Sequence, residues 1–330
     1  MSFKKIIISR TDSIGDVILT LPMVAYLKQK FPEAVLVFFG RSYTRAVIEA
    51  SNCVDEFLNY DDFSAFNRDG QTNFLKQQNA DVIIHVFPRK DIAHSARKAG
   101  INIRIGTSHR FYHWASCNET VNFSRKKSDL HEAQLNFKLL APLGIEHIPT
   151  LEEIKPLVTM SPKVALPSAI SSLLDSEKKK VILHPKSQGS AVEWGLRNFS
   201  SLAKLLVDNG FQVIVTGTDK EKELMKESSL FSLDGVCDVT GKLSLEELIA
   251  LIASCDALVA ASTGPLHIAS ALGKRAVGLY SERKPIHPGR WMPVGENSTY
   301  LSKNREGVED IELDALMLQI APQEVMALLN

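Results

Sequence analysis

The sequence predicts an α/β protein made of two doubly wound parallel sheets in tandem. Two observations carry this: short β-branched or apolar runs alternate with helical patterns along most of the chain, and the alternation stops across residues 144–167 before it restarts. The size agrees. At 330 residues and 45% hydrophobic content, the chain exceeds a usual single domain and can fill more than one core.

Lys4 to Ser9 is a β-branched run, Arg10 to Asp16 a polar turn containing Gly15, Val17 to Phe31 a helical pattern, and Ala34 to Phe39 a second strand. This βαβ unit implies a parallel sheet with right-handed crossovers. Asp81 to Phe87 (strand), Asp91 to Lys98 (helix), Arg104 to Gly106 (strand) and Ser128 to Leu143 (helix) continue it. Pro149, Pro156, Pro162 and Pro167 then fall in a stretch without apolar periodicity, which reads as the interdomain linker. The boundary expected from this is 1–160 and 161–330.

Strands follow at Lys180 to His184, Phe211 to Thr216, Ala257 to Ala260 and Ala276 to Tyr280. Helices are expected at Asn198 to Asn209, Asp219 to Glu227, Ser244 to Ser254 and Pro265 to Leu272. A last amphipathic stretch, Leu313 to Leu329, has no strand after it and is expected to pack back on the first domain. Open parallel sheets take ligands at the carboxyl ends of their strands, so two such sheets are expected to face a central cleft.

Lys plus Arg and Asp plus Glu number 38 each, which gives no reason to expect a nucleic-acid partner. Residues 1–165 hold 21 basic against 17 acidic side chains, a mild bias that suits an anionic partner for the first half. Cys53, Cys117, Cys237 and Cys255 form no CxxC or Cys–His spacing, so reduced cysteines and no metal site are expected. No apolar run reaches the length of a signal peptide or a membrane span, and the expected location is the cytoplasm.

Chemistry is expected in the strand-end turns. In Arg10-Thr11-Asp12-Ser13-Ile14-Gly15-Asp16, Asp16 is the candidate acid, and Gly15 lets a substrate approach the backbone; helix capping by Asp12, Ser13 or Asp16 is the alternative. Ser262-Thr263-Gly264-Pro265-Leu266-His267 ends a strand and opens a helix, whose free N–H groups and positive dipole suit a diphosphate. His267 would touch the phosphate or fill the interface. Lys186-Ser187-Gln188-Gly189 is a small hydroxyl-bearing loop able to cradle phosphate, followed by Trp194, a residue type that more often fills a core or lid than touches a ligand. Gly217 and Glu221 lie beside a third strand end, where an acid can accept ribose hydroxyls. Arg89, Lys90, Arg97, Lys98, Arg104, Arg110, Arg125, Lys126 and Lys127 concentrate positive charge within domain one, either as a solvated face or as a site for an anionic acceptor.

Together these turns resemble glycosyltransferase family 9, the bacterial lipopolysaccharide heptosyltransferases, over nearly the whole chain. The resemblance rests on Arg10, Gly15-Asp16 and Leu21-Pro22; on His184-Pro185, Trp194 and Phe199; on Leu243-Ser244-Leu245-Glu246; and on Ser262 to His267 with Ala269, Ala271 and Leu272. It implies a GT-B fold and an inverting, metal-independent transfer of a heptose or related sugar from a nucleotide diphosphate, ADP-heptose above all. The implied acceptor is an anionic glycolipid or oligosaccharide such as the lipopolysaccharide core, met in the cytoplasm or at the cytoplasmic face of the inner membrane.

Asp16 would then be the general base, with no cofactor. Arg10, Ser13, Gly15, Arg89, Lys90 and Arg110 would bind acceptor. Lys186, Ser187, Gln188, Gly189, Trp194, Gly217, Glu221, Leu243, Ser262, Thr263, Gly264 and His267 would bind donor. Two positions depart from the family pattern: Ser262 stands where many members carry an acid, and Val192 where a lysine is usual. Lys186 or Arg197 is expected to supply the missing cation. The competing readings are a sugar-nucleotide 2-epimerase of similar fold and a catalytically idle nucleotide-sugar-binding protein.

Overall fold

The computed structural model describes residues 2–125, 128–305, 307 and 309–329. Lys126 and Lys127 of the basic stretch lie outside the described residues. The chain divides into two compact units, Met1–Thr159 and Met160–Asn330.

In the first unit the strands are β1 (Lys5–Ser9), β2 (Val35–Gly40), β3 (Glu56–Asn59), β4 (Val82–His85), β5 (Ile103–Thr107) and β6 (Glu119–Val121). They pair in parallel in the order β3-β2-β1-β4-β5-β6. The second unit has β7 (Lys180–His184), β8 (Gln212–Val215), β9 (Val236–Asp238), β10 (Ala257–Ala261), β11 (Arg275–Ser281) and β12 (Ser298–Lys303). Their order is β12-β11-β10-β7-β8-β9, the same Rossmann arrangement, again parallel throughout. Ile6, Ile7 and Ile8 are wholly buried, as are Ile182 and Leu183 on β7, because helices cover both faces of each sheet.

Several expected helices are divided. Val17 to Phe31 becomes Ile14–Ile18 and Leu21–Lys30, with Pro22 in the first turn of the second piece, where its missing N–H is no loss. Ser128 to Leu143 becomes an α-helix, Glu132–Phe137, capped by His131 and Gln134, followed by a 3₁₀ stretch, Lys138–Leu143. The linker region is not structureless: Thr150 and Glu153 cap each other at the start of the short helix Leu151–Ile154.

The carboxyl-terminal stretch is two helices rather than one. It forms Asp310–Met317 and Pro322–Ala327, broken ahead of Pro322, where the ring disfavours a continuing helix. Met317, Ile320, Val325, Met326 and Leu329 join the core of the second unit with Trp194 and Phe199, so the segment seals its own unit. Burying these apolar side chains contributes about 1.5–3 kcal/mol each.

Candidate active site

In an open sheet of this order, the crevice for ligands lies outside the strand ends where the chain reverses direction across the sheet. In the first unit that point falls between β1 and β4, which pair Ser9 with His85. Arg10 to Asp16 follows β1, Val86 to Arg89 follows β4, and Arg89 Nε joins the two loops by donating to Thr11 Oγ1 at 2.9 Å.

Arg10 organises the first loop. Its guanidinium side chain is 3% exposed and pairs with Asp12 at 2.7 Å, with Glu132 at 3.0 Å and with Asp16. Ser13 donates its hydroxyl to the other oxygen of Asp16. The capping alternative fails for Ser13, which stands at the N-cap of Ile14–Ile18 without a side-chain bond to the backbone. Asp16 keeps 17% of its side chain exposed, so it is oriented from behind yet reachable.

Glu132, 1% exposed, also receives Arg125, whose other amino group donates to Asn136 Oδ1 and Val86 O at 3.1 Å each. Thus two guanidiniums face three carboxylates. Burial pushes Asp12 up to about 6; Arg10 opposes this and the charge of Asp16 adds to it. For Arg10, burial works against the charge, but Asp12, Asp16 and Glu132 outweigh it and hold the group above its usual value.

Glu132, Asn136, Tyr43 and Tyr60 escaped the sequence reading. Tyr43 donates to the Asp12 carbonyl, and Tyr60 accepts from Arg89 Nη1 at 2.6 Å and donates to Asp91 at 2.8 Å. A signal for the first two existed: Glu132 and Asn136 stand one helical turn apart among Ala133, Leu135 and Phe137, which places a polar pair on a buried face. Lys90 lies beside Arg89 at the start of Lys90–Lys98, while Arg110 precedes the separate helix Phe111–Ser116.

In the second unit the reversal falls between β7 and β10, which pair His184 with Ala260. The loop after β7 turns tightly at Ser187 to Ser190, with positive φ at Gln188 (50°) and Gly189 (83°), the latter a conformation glycine adopts without strain. Gln188 reaches Thr218 Oγ1 at 3.1 Å and so ties this loop to the one after β8. Lys186 pairs with Glu193 at 2.6 Å, and the same carboxylate accepts from Ser187 N at 3.0 Å. Arg197 is exposed, and Val192 packs against the core.

After β10, the helix Gly264–Ala271 begins with Pro265 in its first turn, and its N-cap Thr263 makes no capping bond through its side chain. Thr263 is 6% exposed and its hydroxyl has no hydrogen-bond partner among the described residues. His267 is buried one turn along, and Leu243 is half-buried before the helix Leu245–Ala253. Ser262 hydrogen-bonds the buried Tyr280, whose hydroxyl also donates to Trp291 O at 2.6 Å.

One expected donor contact is corrected. Trp194 is wholly buried, stacked edge-on against Phe199 and bonded through Nε1 to Ile320 O at 3.0 Å, which leaves no surface for a ligand. Glu221, 3% exposed, accepts at Oε2 from Thr218 N (2.7 Å) and Oγ1 (3.1 Å) in a capping box at the start of Asp219–Met225. Gly217 lies directly against the Glu221 side chain.

Two Rossmann-like units with polar loops gathered at both reversal points define the GT-B class of glycosyltransferase fold. The comparisons agree. A solved glycosyltransferase family 9 protein of Veillonella parvula superposes with a TM-score of 0.81 at 18% identity, covering 99% of this chain and 96% of its own. Escherichia coli ADP-heptose lipopolysaccharide heptosyltransferase II gives 0.73 at 21% identity, over 99% and 97%. Escherichia coli heptosyltransferase WaaC, solved with ADP-2-deoxy-2-fluoro heptose, gives 0.69 at 17%, over 98% of each.

In sequence, lipopolysaccharide heptosyltransferase 2 of Escherichia coli is 30% identical over 48% of this chain and 47% of its own. Lipopolysaccharide heptosyltransferase 3 of that species is 22% identical over 86% and 84%. The sequence profile of glycosyltransferase family 9 (heptosyltransferase) matches residues 72–318. The chain belongs to that family and is a glycosyltransferase.

Proposed function

We propose that the protein transfers a heptose, with inversion and without a divalent cation, from ADP-heptose to a hydroxyl of an anionic lipopolysaccharide-core acceptor. Asp16 acts as general base: the acceptor hydroxyl gives its proton to the carboxylate as its oxygen bonds to the anomeric carbon. The bond from that carbon to the diphosphate oxygen breaks, and ADP leaves with the electron pair. Arg10 and Ser13 orient Asp16, while Arg89, Lys90 and Arg110 hold the acceptor's negative groups. In the second unit, the Thr263-Gly264 helix start and Lys186 take up the charge developing on the diphosphate.

The observation that carries this reading is a matched pair of reversal points. One presents an oriented, reachable carboxylate. The other presents a buried hydroxyl at a helix start, without a partner among the described residues. The relatives bound to ADP-heptose analogues support the donor, and the lipopolysaccharide heptosyltransferases support the acceptor.

The test is to incubate the protein with ADP-heptose and a deacylated core oligosaccharide in the presence of a chelator. A product whose new linkage has the anomeric configuration opposite to that of the donor is expected. Retention of configuration, or release of free heptose alone, would overturn the proposal.

A further inference from the structure

The first unit carries an exposed aromatic pair, Phe111 and Trp114, that the proposed transfer does not use, set beside a basic surface of which Arg89, Lys90 and Arg110 are given to the acceptor. Phe111 and Trp114, one helical turn apart on Phe111–Ser116, are 85% and 66% exposed, more than any other aromatic side chain among the described residues. Their rings meet edge-on with centroids 5.5 Å apart, and Trp114 Nε1 donates to Ser108 O at 2.7 Å. The opposite side of the same helix is anchored: His113 is wholly buried and its Nδ1 donates to Thr107 O at 2.9 Å. The helix sits so close to β5 that a Cβ on Gly106 would collide with that nitrogen. The two rings are therefore held outward by a rigid support.

Cations ring this helix. Arg110 precedes it, Arg97 donates to Ala115 O, and Arg104 Nε donates to Ser116 O at 2.7 Å. The neighbouring helix Lys90–Lys98 packs against it and, with Arg68, Arg89, Lys90, His94 and Lys98, lines a cavity of about 900 Å³. Burial, Lys90, Arg68, Arg97 and Lys98 all push His94 below its ordinary value, which shows how densely the positive charge is gathered. From residue 89 to 125 the sequence holds seven Lys and Arg against Asp91 and Glu119 alone.

We infer that this face docks the protein on an anionic lipid bilayer, with Phe111 and Trp114 seated at the headgroup level and the exposed cations Arg68, Arg97 and Lys98 against lipid phosphates. Aromatic rings that are apolar in body and carry a polar edge favour the membrane–water interface, and juxtaposed cations add attraction to anionic lipid. The cations decide the occupant, because a second copy of this chain would set this charge against itself. Among the described residues no helix is long and apolar enough to cross a membrane, so attachment here is by a surface. The inference extends the proposed function, since a glycolipid acceptor would be met at that surface.

Co-sedimentation of the full chain with vesicles tests it. Binding to an equimolar mixture of phosphatidylcholine and phosphatidylglycerol is expected, with at least about tenfold weaker binding to phosphatidylcholine alone. The double variant Phe111→Ser, Trp114→Ser should lose about tenfold or more in binding to the mixed vesicles while keeping its melting temperature, because both side chains are exposed. On a lipid-free core oligosaccharide the same variant should turn over like the parent. Loss there would place the patch in the acceptor site and overturn the inference, as would unchanged vesicle binding. Self-association of the parent that the double variant abolishes would assign the face to a second copy instead. Failure of transfer by the parent chain strikes the proposed function and leaves the vesicle result standing.

Discussion

The two reversal points differ in how their polar groups are satisfied. At the first, Arg10, Arg125, Asp12, Asp16, Glu132 and Asn136 bond to one another, so the carboxylate is fixed before any substrate arrives. At the second, the loops are pinned by Glu193, Gln188 and the capping box of Thr218, yet Thr263 Oγ1 at the helix start stays without a partner among the described residues. On the proposed mechanism, the group that would move a proton is positioned by protein, whereas the group that would receive an anion is left for the ligand to complete.

The largest expected effect breaks the first region. Arg10→Met would leave buried carboxylates without their counter-charge and cost about 3–5 kcal/mol of stability, read by denaturant unfolding. A loss under 1 kcal/mol would show that the network does not depend on Arg10. In the second region, Lys186→Ala should weaken ADP binding roughly tenfold while leaving adenosine binding unchanged, measured by calorimetry. Equal losses for both ligands would confine Lys186 to its pairing with Glu193.

The pH dependence sharpens the contrast. Asp12 is held up to about 6, so its proton returns as pH falls through that value and removes one of the three negative charges facing Arg10. kcat/KM should decline below about pH 6, and this inflection should vanish in Asp12→Asn. Because the folded carboxyl holds its proton more tightly than the unfolded one, its contribution to stability rises as pH falls from 6 toward the ordinary carboxylate range. Asp12→Asn should therefore raise Tm at about pH 8 and change it little near pH 4. The smallest effect is none: excess chelator should leave turnover unchanged.

How the fold could be read from the sequence also follows from position. β1, β2, β4, β7, β8, β10 and β11, all interior to their sheets, show as apolar runs because both of their faces are covered, whereas β5, next to the edge, is half-buried and interrupted by Arg104. The edge strands β3, β6, β9 and β12 carry half-buried or exposed residues such as Glu56, Glu119 and Asp238, and their pattern does not rise above that of loops. Of the candidate site, the loops after β1, β7 and β10 were legible because each couples a strand end to a turn and a helix start. Glu132 and Asn136 come from more than a hundred residues away, and nothing local ties them to Arg10. For Trp194 the residue type pointed to a core or lid position and the family motif to the donor site; the terminal helices that bury it, which the motif does not contain, put it in the core.

The division of labour is tested most directly by Asp16→Asn, measuring ADP-heptose affinity by calorimetry and transfer to core oligosaccharide on the same preparation. The account predicts donor affinity within about threefold of the parent and turnover lower by roughly 10²–10⁴. Turnover within a few fold of the parent would contradict it.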